Sequence, residues 1–239
     1  MQTPFSVILI HGHGVDASIW DSIHADLALD HPVLKPDVAR LTSHATIEAY
    51  AEELNARLQA ASINDVVLVG HSMGGYIALA FAERYPTQVR GLVLYHSTAY
   101  ADDEDRKAQR RQLIETMRTQ GGAQFIEKQL PKMVAPDYPA EKVQELIDRY
   151  RDLPTDALIA GMEAIAGRPD RTNILRDAPF PILLVLGKED QLIPLEKTKK
   201  LAELSDRIRV ALIDNAGHLS MVEQPEASQT ILRDFVKPL

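Results

Sequence analysis

The segment Asp65-Val66-Val67-Leu68-Val69-Gly70-His71-Ser72-Met73-Gly74-Gly75 decides the fold. Its first half is a short β-branched and aliphatic run with no polar alternation, the pattern of a strand buried on both faces. Its second half is Gly-x-Ser-x-Gly, and the residues from Tyr76 to Arg84 then read as a helix. A serine on so sharp a strand-to-helix turn projects its hydroxyl above the sheet, and the glycines two residues to either side let the two backbones approach. The plainer alternative is a helix merely capped by Ser72 after a glycine turn.

Working outward, five more runs share the apolar character: Phe5 to Ile10, Val33 to Val38, Gly91 to His96, Pro181 to Gly187 and Ile208 to Ile213. Helical segments lie between them. From Ile47 to Ala61, Ile47, Tyr50, Ala51, Leu54 and Leu58 share one face behind Thr46 as N-cap, and a C-terminal helix opens at Pro225 with Ile231, Leu232 and Phe235 on its apolar side. Strands alternating with helices predict an α/β class fold, a doubly wound and mostly parallel six-stranded sheet.

The stretch from His96 to Pro181 is far longer than the 2–6 residues usual for a βα loop. The groups Leu113/Ile114/Met117, Val143/Leu146/Ile147/Tyr150 and Leu158/Ile159/Met162/Ile165 recur at helical spacing there and predict three or four short helices. The expected division is a core formed by residues 1–97 and 173–239, with 98–172 as a helical cap inserted before the last two strands. Such an insertion is either a packing subdomain or a lid, because loops at the carboxyl ends of parallel strands surround the ligand crevice. Met117, Phe125, Met162 and Ile165 could line an apolar acyl site, but Met and aromatic residues at helical spacing are more often plain core, so they are not counted among the site residues.

A serine nucleophile needs a base, and the base needs an orienting acid. Asp190 follows the strand ending at Gly187, and His218 follows the strand ending at Ile213, which is the order Ser, acid, His. Glu189 and Asp214 are rival acids; Asp214 lies so near His218 that an Asx-type hydrogen bond within its own loop suits it better, and Asp190 is preferred. The developing oxyanion needs two backbone N–H groups, expected from Met73, directly after the serine, and from His13 in the loop after the first strand.

Taken together, His11-Gly12, the turn at Ser72, the Gly187 to Pro194 segment and Gly217-His218 resemble the α/β-hydrolase superfamily, in its small lidded serine esterase or lipase-like branch, over nearly the whole chain. The resemblance implies a catalytic triad of Ser72, Asp190 and His218, an oxyanion hole, a helical cap, no cofactor, and acyl transfer to water. It also implies a minimal sheet, the chain starting at the family's third strand. Two departures bear on the acyl pocket: His13 stands where the family often has an aromatic residue, and Asp37 to Thr42 replaces a glycine-rich turn.

Composition narrows the classes. The 239 residues carry 26 basic and 34 acidic side chains for a net charge of −8, with the basic ones interleaved among acids, so no nucleic-acid partner is expected. With no cysteine there is no disulfide framework or thiol nucleophile. No apolar run approaches the roughly 20 residues of a membrane span and no charged leader is visible, so a cytoplasmic location and no membrane partner are expected. The oligomeric state is not legible.

The expected function is a serine hydrolase cleaving small or medium carboxylic esters, with a small-molecule ester as substrate. Lactonase, perhydrolase, C–C hydrolase and hydroxynitrile lyase chemistry share the same residues. Two other classes stay open: a non-catalytic ligand receptor on this scaffold, and a metallohydrolase using His11 and His13, since H-x-H at a strand end also opens metal sites. His24, His31, His44, His71 and His96 read as surface or packing residues, although His96 and Ser97, ending a strand, are also expected to face the crevice.

Overall fold

The computed structural model describes residues 5–239, so the first four residues of the expected core lie outside the described residues. Six strands form one sheet: β1 (Ser6–Ile10), β2 (Val33–Leu34), β3 (Val66–His71), β4 (Val89–Tyr95), β5 (Ile182–Gly187) and β6 (Ile208–Ile213). Their spatial order is β2-β1-β3-β4-β5-β6, and every pairing is parallel. The register carries one row across the sheet through Ile8, Leu68, Leu92, Ile182 and Ile208.

Successive residues of one strand feed opposite layers: Val7 and Leu9 pack into one hydrophobic cluster, Ile8 and Ile10 into the other. Both faces are therefore buried, and that is why the strands lack alternation in the sequence. The edge strand β6 departs from this. Val210 and Leu212 are more than a third exposed, because β6 has a neighbour on one side only and one face is incompletely covered.

The helices are α1 (Asp21–Leu27), α2 (Ile47–Ala60), α3 (Met73–Arg84), α4 (Glu104–Gln120), α5 (Gly122–Gln129), α6 (Ala140–Tyr150), α7 (Thr155–Gly167), α8 (Thr172–Asp177), α9 (Leu195–Lys199), α10 (Ser220–Glu223) and α11 (Pro225–Val236). Thr46 caps α2 as expected, accepting from the Ala49 N–H at 3.2 Å, and the five apolar positions of that helix are buried. The expected periodic groups of the insertion fall on α4, α6 and α7; α5 and α8, which the periodicity did not resolve, are additional.

Besides β4 starting two residues early, at Val89, two boundaries differ from expectation for reasons visible in the packing. The second strand ends at Leu34 rather than Val38, since Pro36 has no N–H to donate and the Val38 N–H is taken by the His11 ring at 2.9 Å. Helix α3 starts at Met73 rather than Tyr76, so Gly74 and Gly75 lie inside the helix and not in a turn before it. A methyl group on Gly74 would strike the Ile10 carbonyl, and one on Gly70 the Gly74 carbonyl, so these glycines let β1, β3 and α3 close on one another.

Candidate active site

Ser72 occupies the step between β3 and α3 with φ 51° and ψ −114°. This is the left-handed side of the map, where a residue with a side chain pays about 1–3 kcal/mol. Three hydrogen bonds hold it: Ser72 N–H to the Tyr95 carbonyl at 3.0 Å, Gly75 N–H to the Ser72 carbonyl at 2.9 Å, and Ser97 Oγ–H to that same carbonyl at 2.7 Å. The Ser72 side chain caps nothing. The plain capping role therefore drops out, and the hydroxyl opens on a cavity of about 500 Å³ that is also lined by His13 and His218.

The loops after β5 and β6 bring Asp190 and His218 together across 28 residues, with His218 Nδ1 2.8 Å from Asp190 Oδ2. Both side chains are buried. The other Asp190 oxygen accepts from the Leu192 and Ile193 N–H groups at 2.8 and 3.1 Å. Burial alone would raise the Asp190 pKa, but His218, then His96, overcome it and hold the carboxyl well below the usual range. An ionised carboxylate only accepts, so the neutral form of His218 carries its proton on Nδ1 and leaves Nε2 with a free lone pair. Ser72 Oγ makes no hydrogen bond to that ring in this geometry; the two side chains meet at the cavity they share.

Neither rival acid reaches His218. Asp214 is exposed and pairs with Lys188 instead of forming the expected Asx-type bond, and Glu189 borders a separate surface hollow with Asn215 and Glu223. The backbone N–H groups of His13 and Met73 have no hydrogen-bond partner among the described residues.

His11 and His13 do not converge as metal ligands. His11 Nδ1–H donates to the Gly12 carbonyl at 2.8 Å while its Nε2 accepts from Val38, and His13 Nε2–H donates to the Leu158 carbonyl on α7 at 2.7 Å. Burial, opposed by the Leu158 bond and reinforced by nearby Arg110, lowers the His13 pKa to about 4. Among the described residues one histidine and carboxylate group has atoms close enough to share an ion, His96, Asp190 and His218. Its nitrogens lie 3.0 and 2.8 Å from the single oxygen Asp190 Oδ2, which are hydrogen-bond distances, so a cation would have to displace both contacts.

The sequence missed two residues here. His96 is neither on the surface nor in the cavity wall: it is fully buried beneath, in a strained φ of 47°, with Nδ1 3.0 Å from Asp190 Oδ2 and Nε2 2.7 Å from Ser220 Oγ. His71, likewise buried, donates Nε2–H to the His218 carbonyl at 2.9 Å. Burial lowers the pKa of both imidazoles. The second missed residue is Glu223, whose carboxylate gathers the N–H groups of Ala135, Gly217 and Leu219 at 2.7, 2.9 and 3.0 Å and so braces the loop on both sides of His218. A glutamate five residues beyond a loop histidine was the available signal. Phe125, Met162 and Ile165 line the cavity, whereas Met117 is packing core.

A parallel sheet covered on both faces, with a strained serine and a paired acid and histidine at its carboxyl edge, defines a hydrolase of the α/β fold. The chain belongs to the alpha/beta hydrolase family, whose family model matches residues 7–228. It is similar to the pimeloyl-[acyl-carrier protein] methyl ester esterase of Neisseria meningitidis, 29% identical over 97% of this chain and 76% of the relative. The 2-hydroxy-6-oxo-2,4-heptadienoate hydrolase of Pseudomonas putida is 24% identical over 96% of this chain and 88% of its own length. Among solved structures, a thermophilic esterase from Thermogutta terrifontis, bound to malate, superposes with a TM-score of 0.92 at 28% identity, covering 100% of this chain and 91% of that one. No described helix is long and apolar enough to cross a membrane.

Proposed function

We propose that this chain is a serine hydrolase that cleaves carboxylic esters of small or medium acyl groups through an acyl-enzyme intermediate. The observation that carries the reading is the 2.8 Å contact between His218 Nδ1 and Asp190, which leaves the other imidazole nitrogen bare in the cavity that holds Ser72. Ser72 Oγ attacks the ester carbonyl while His218 Nε2 takes its proton. The tetrahedral oxyanion is held by the His13 and Met73 backbone N–H groups. It collapses as His218 returns the proton to the leaving alcohol, and water then repeats the sequence on the acyl-enzyme, releasing the acid and restoring Ser72. Asp190 holds the tautomer and offsets the charge that forms on the ring. Helices α4 to α7 serve as the cap, since α4, α5 and α7 supply much of the cavity wall. The esterase relatives are in keeping with ester hydrolysis, while the C–C hydrolase of Pseudomonas putida keeps C–C cleavage as the runner-up.

The test is hydrolysis of a p-nitrophenyl ester series by the wild type and Ser72→Ala. A loss on the order of 10⁶-fold in kcat, the scale seen when a triad serine is removed, supports the reading. Undiminished turnover by the alanine variant rules it out.

A further inference from the structure

The cavity wall carries charge of one sign. Arg106 and Arg110, one turn apart on α4, and Lys132 line it, and no aspartate or glutamate does, in a chain whose net charge is −8. Arg106 has no carboxylate partner among the described residues; its Nη2 donates to the Leu192 carbonyl at 2.9 Å. Arg110 pairs through Nε with Asp102, but Asp102 also binds Arg168 at 2.7 Å, so one buried carboxylate balances two guanidinium groups. The Nη1 of Arg110 meets only the thioether of Met162, at 3.6 Å, a weak acceptor for a guanidinium N–H. Surplus positive charge and an underused donor, on arginines that are half-buried in the cavity wall, suit an anionic acceptor that the protein does not supply.

The arginines are also fixed with respect to the reacting groups. Arg106 holds the carbonyl of Leu192, whose N–H donates to Asp190 Oδ1 at 2.8 Å, so the cationic end of the cavity and the acid share one residue of backbone. Apolar surface from Phe125, Ile126, Leu113 and Met162 contributes to the same wall. A planar guanidinium fork matches a carboxylate better than any neutral group.

We propose that the preferred esters carry an anionic group, a carboxylate above all, at the far end of an apolar acyl chain, with Arg106 and Arg110 holding that anion while Ser72 meets the ester carbonyl. This rests on the esterase reading given above. The experiment compares monomethyl with dimethyl esters of the straight-chain dicarboxylic acids from succinic to suberic, which share the reacting carbonyl and differ in charge. At one chain length kcat/KM for the monoester should exceed that for the diester, per ester group, by at least about tenfold, equivalent to about 1.4 kcal/mol, and the advantage should shrink as salt is added. Arg106→Gln, which keeps an N–H for the Leu192 carbonyl, should collapse the ratio, and Arg106→Lys should retain part of it. Equal rates for the two esters, or a preference that survives both Arg106→Gln and Arg110→Gln, overturn the proposal. A second readout needs no turnover: adipate should raise the Tm of Ser72→Ala and fail to do so when Arg106→Gln is added. Stabilisation by adipate without hydrolysis of any ester upholds the anion site and sinks the esterase reading, whereas hydrolysis of neutral p-nitrophenyl esters with no charge preference does the reverse.

Discussion

Asp190 Oδ2 meets two imidazoles, His218 at 2.8 Å and His96 at 3.0 Å, so the orientation of the acid depends on both. Replacing His96 with leucine frees one side of the carboxylate. On the proposed mechanism kcat should fall by about tenfold, about 1.4 kcal/mol of barrier, with KM little changed and part of the loss recovered by His96→Asn. An unchanged kcat in His96→Leu would leave that contact purely architectural. Ser72, Asp190 and His218 were legible in the sequence because each is tied to a local pattern, the glycine-flanked turn or the end of an apolar run. His96 and Glu223 were not. The role of His96 comes from a contact between segments 94 residues apart that no local spacing encodes, and for Glu223 the only hint was its place five residues after His218, since the bond to Ala135 spans 88 residues.

At the scale of elements, the alternation of strands and helices was readable because apolar runs and helical faces are local properties. Their ends were less so. Helix α3 absorbs two glycines that propensity alone assigns to a turn, and the reason lies in β1: Gly74 faces the Ile10 and His11 carbonyls with no room for a side chain. Gly74→Ala should therefore lower stability by about 1–3 kcal/mol even though alanine is the better helix former, an effect readable as a lower urea midpoint. A stabilised variant would show that β1 and α3 can move apart. The early stop of β2 is likewise tertiary, since a histidine ring from the loop after β1 takes the N–H that would have continued it.

For the molecule as a whole, His71 and His96 are buried and His13 is half-buried at the cavity wall, and desolvation lowers the pKa of all three, His13 from 6.5 to about 4. Between those two values the unfolded chain binds a proton at His13 that the folded chain does not, so unfolding free energy falls as pH drops from 6.5 towards about 4. Urea unfolding followed across that range should show the decline, and His13→Gln should flatten part of it; a pH-independent midpoint would contradict the burial of these rings as neutral groups. The helical excursion from β4 to β5 adds a different kind of consequence. It departs from and returns to strands that are hydrogen-bonded neighbours, with Leu92 opposite Ile182 and His96 N–H on the Val185 carbonyl at 2.8 Å. The sheet therefore closes the gap by itself, and loop-closure entropy grows only slowly with length. Changes of length in the excursion should therefore cost the sheet little, so the shape of the cavity roof and the register of the platform beneath it are set by separate parts of the chain.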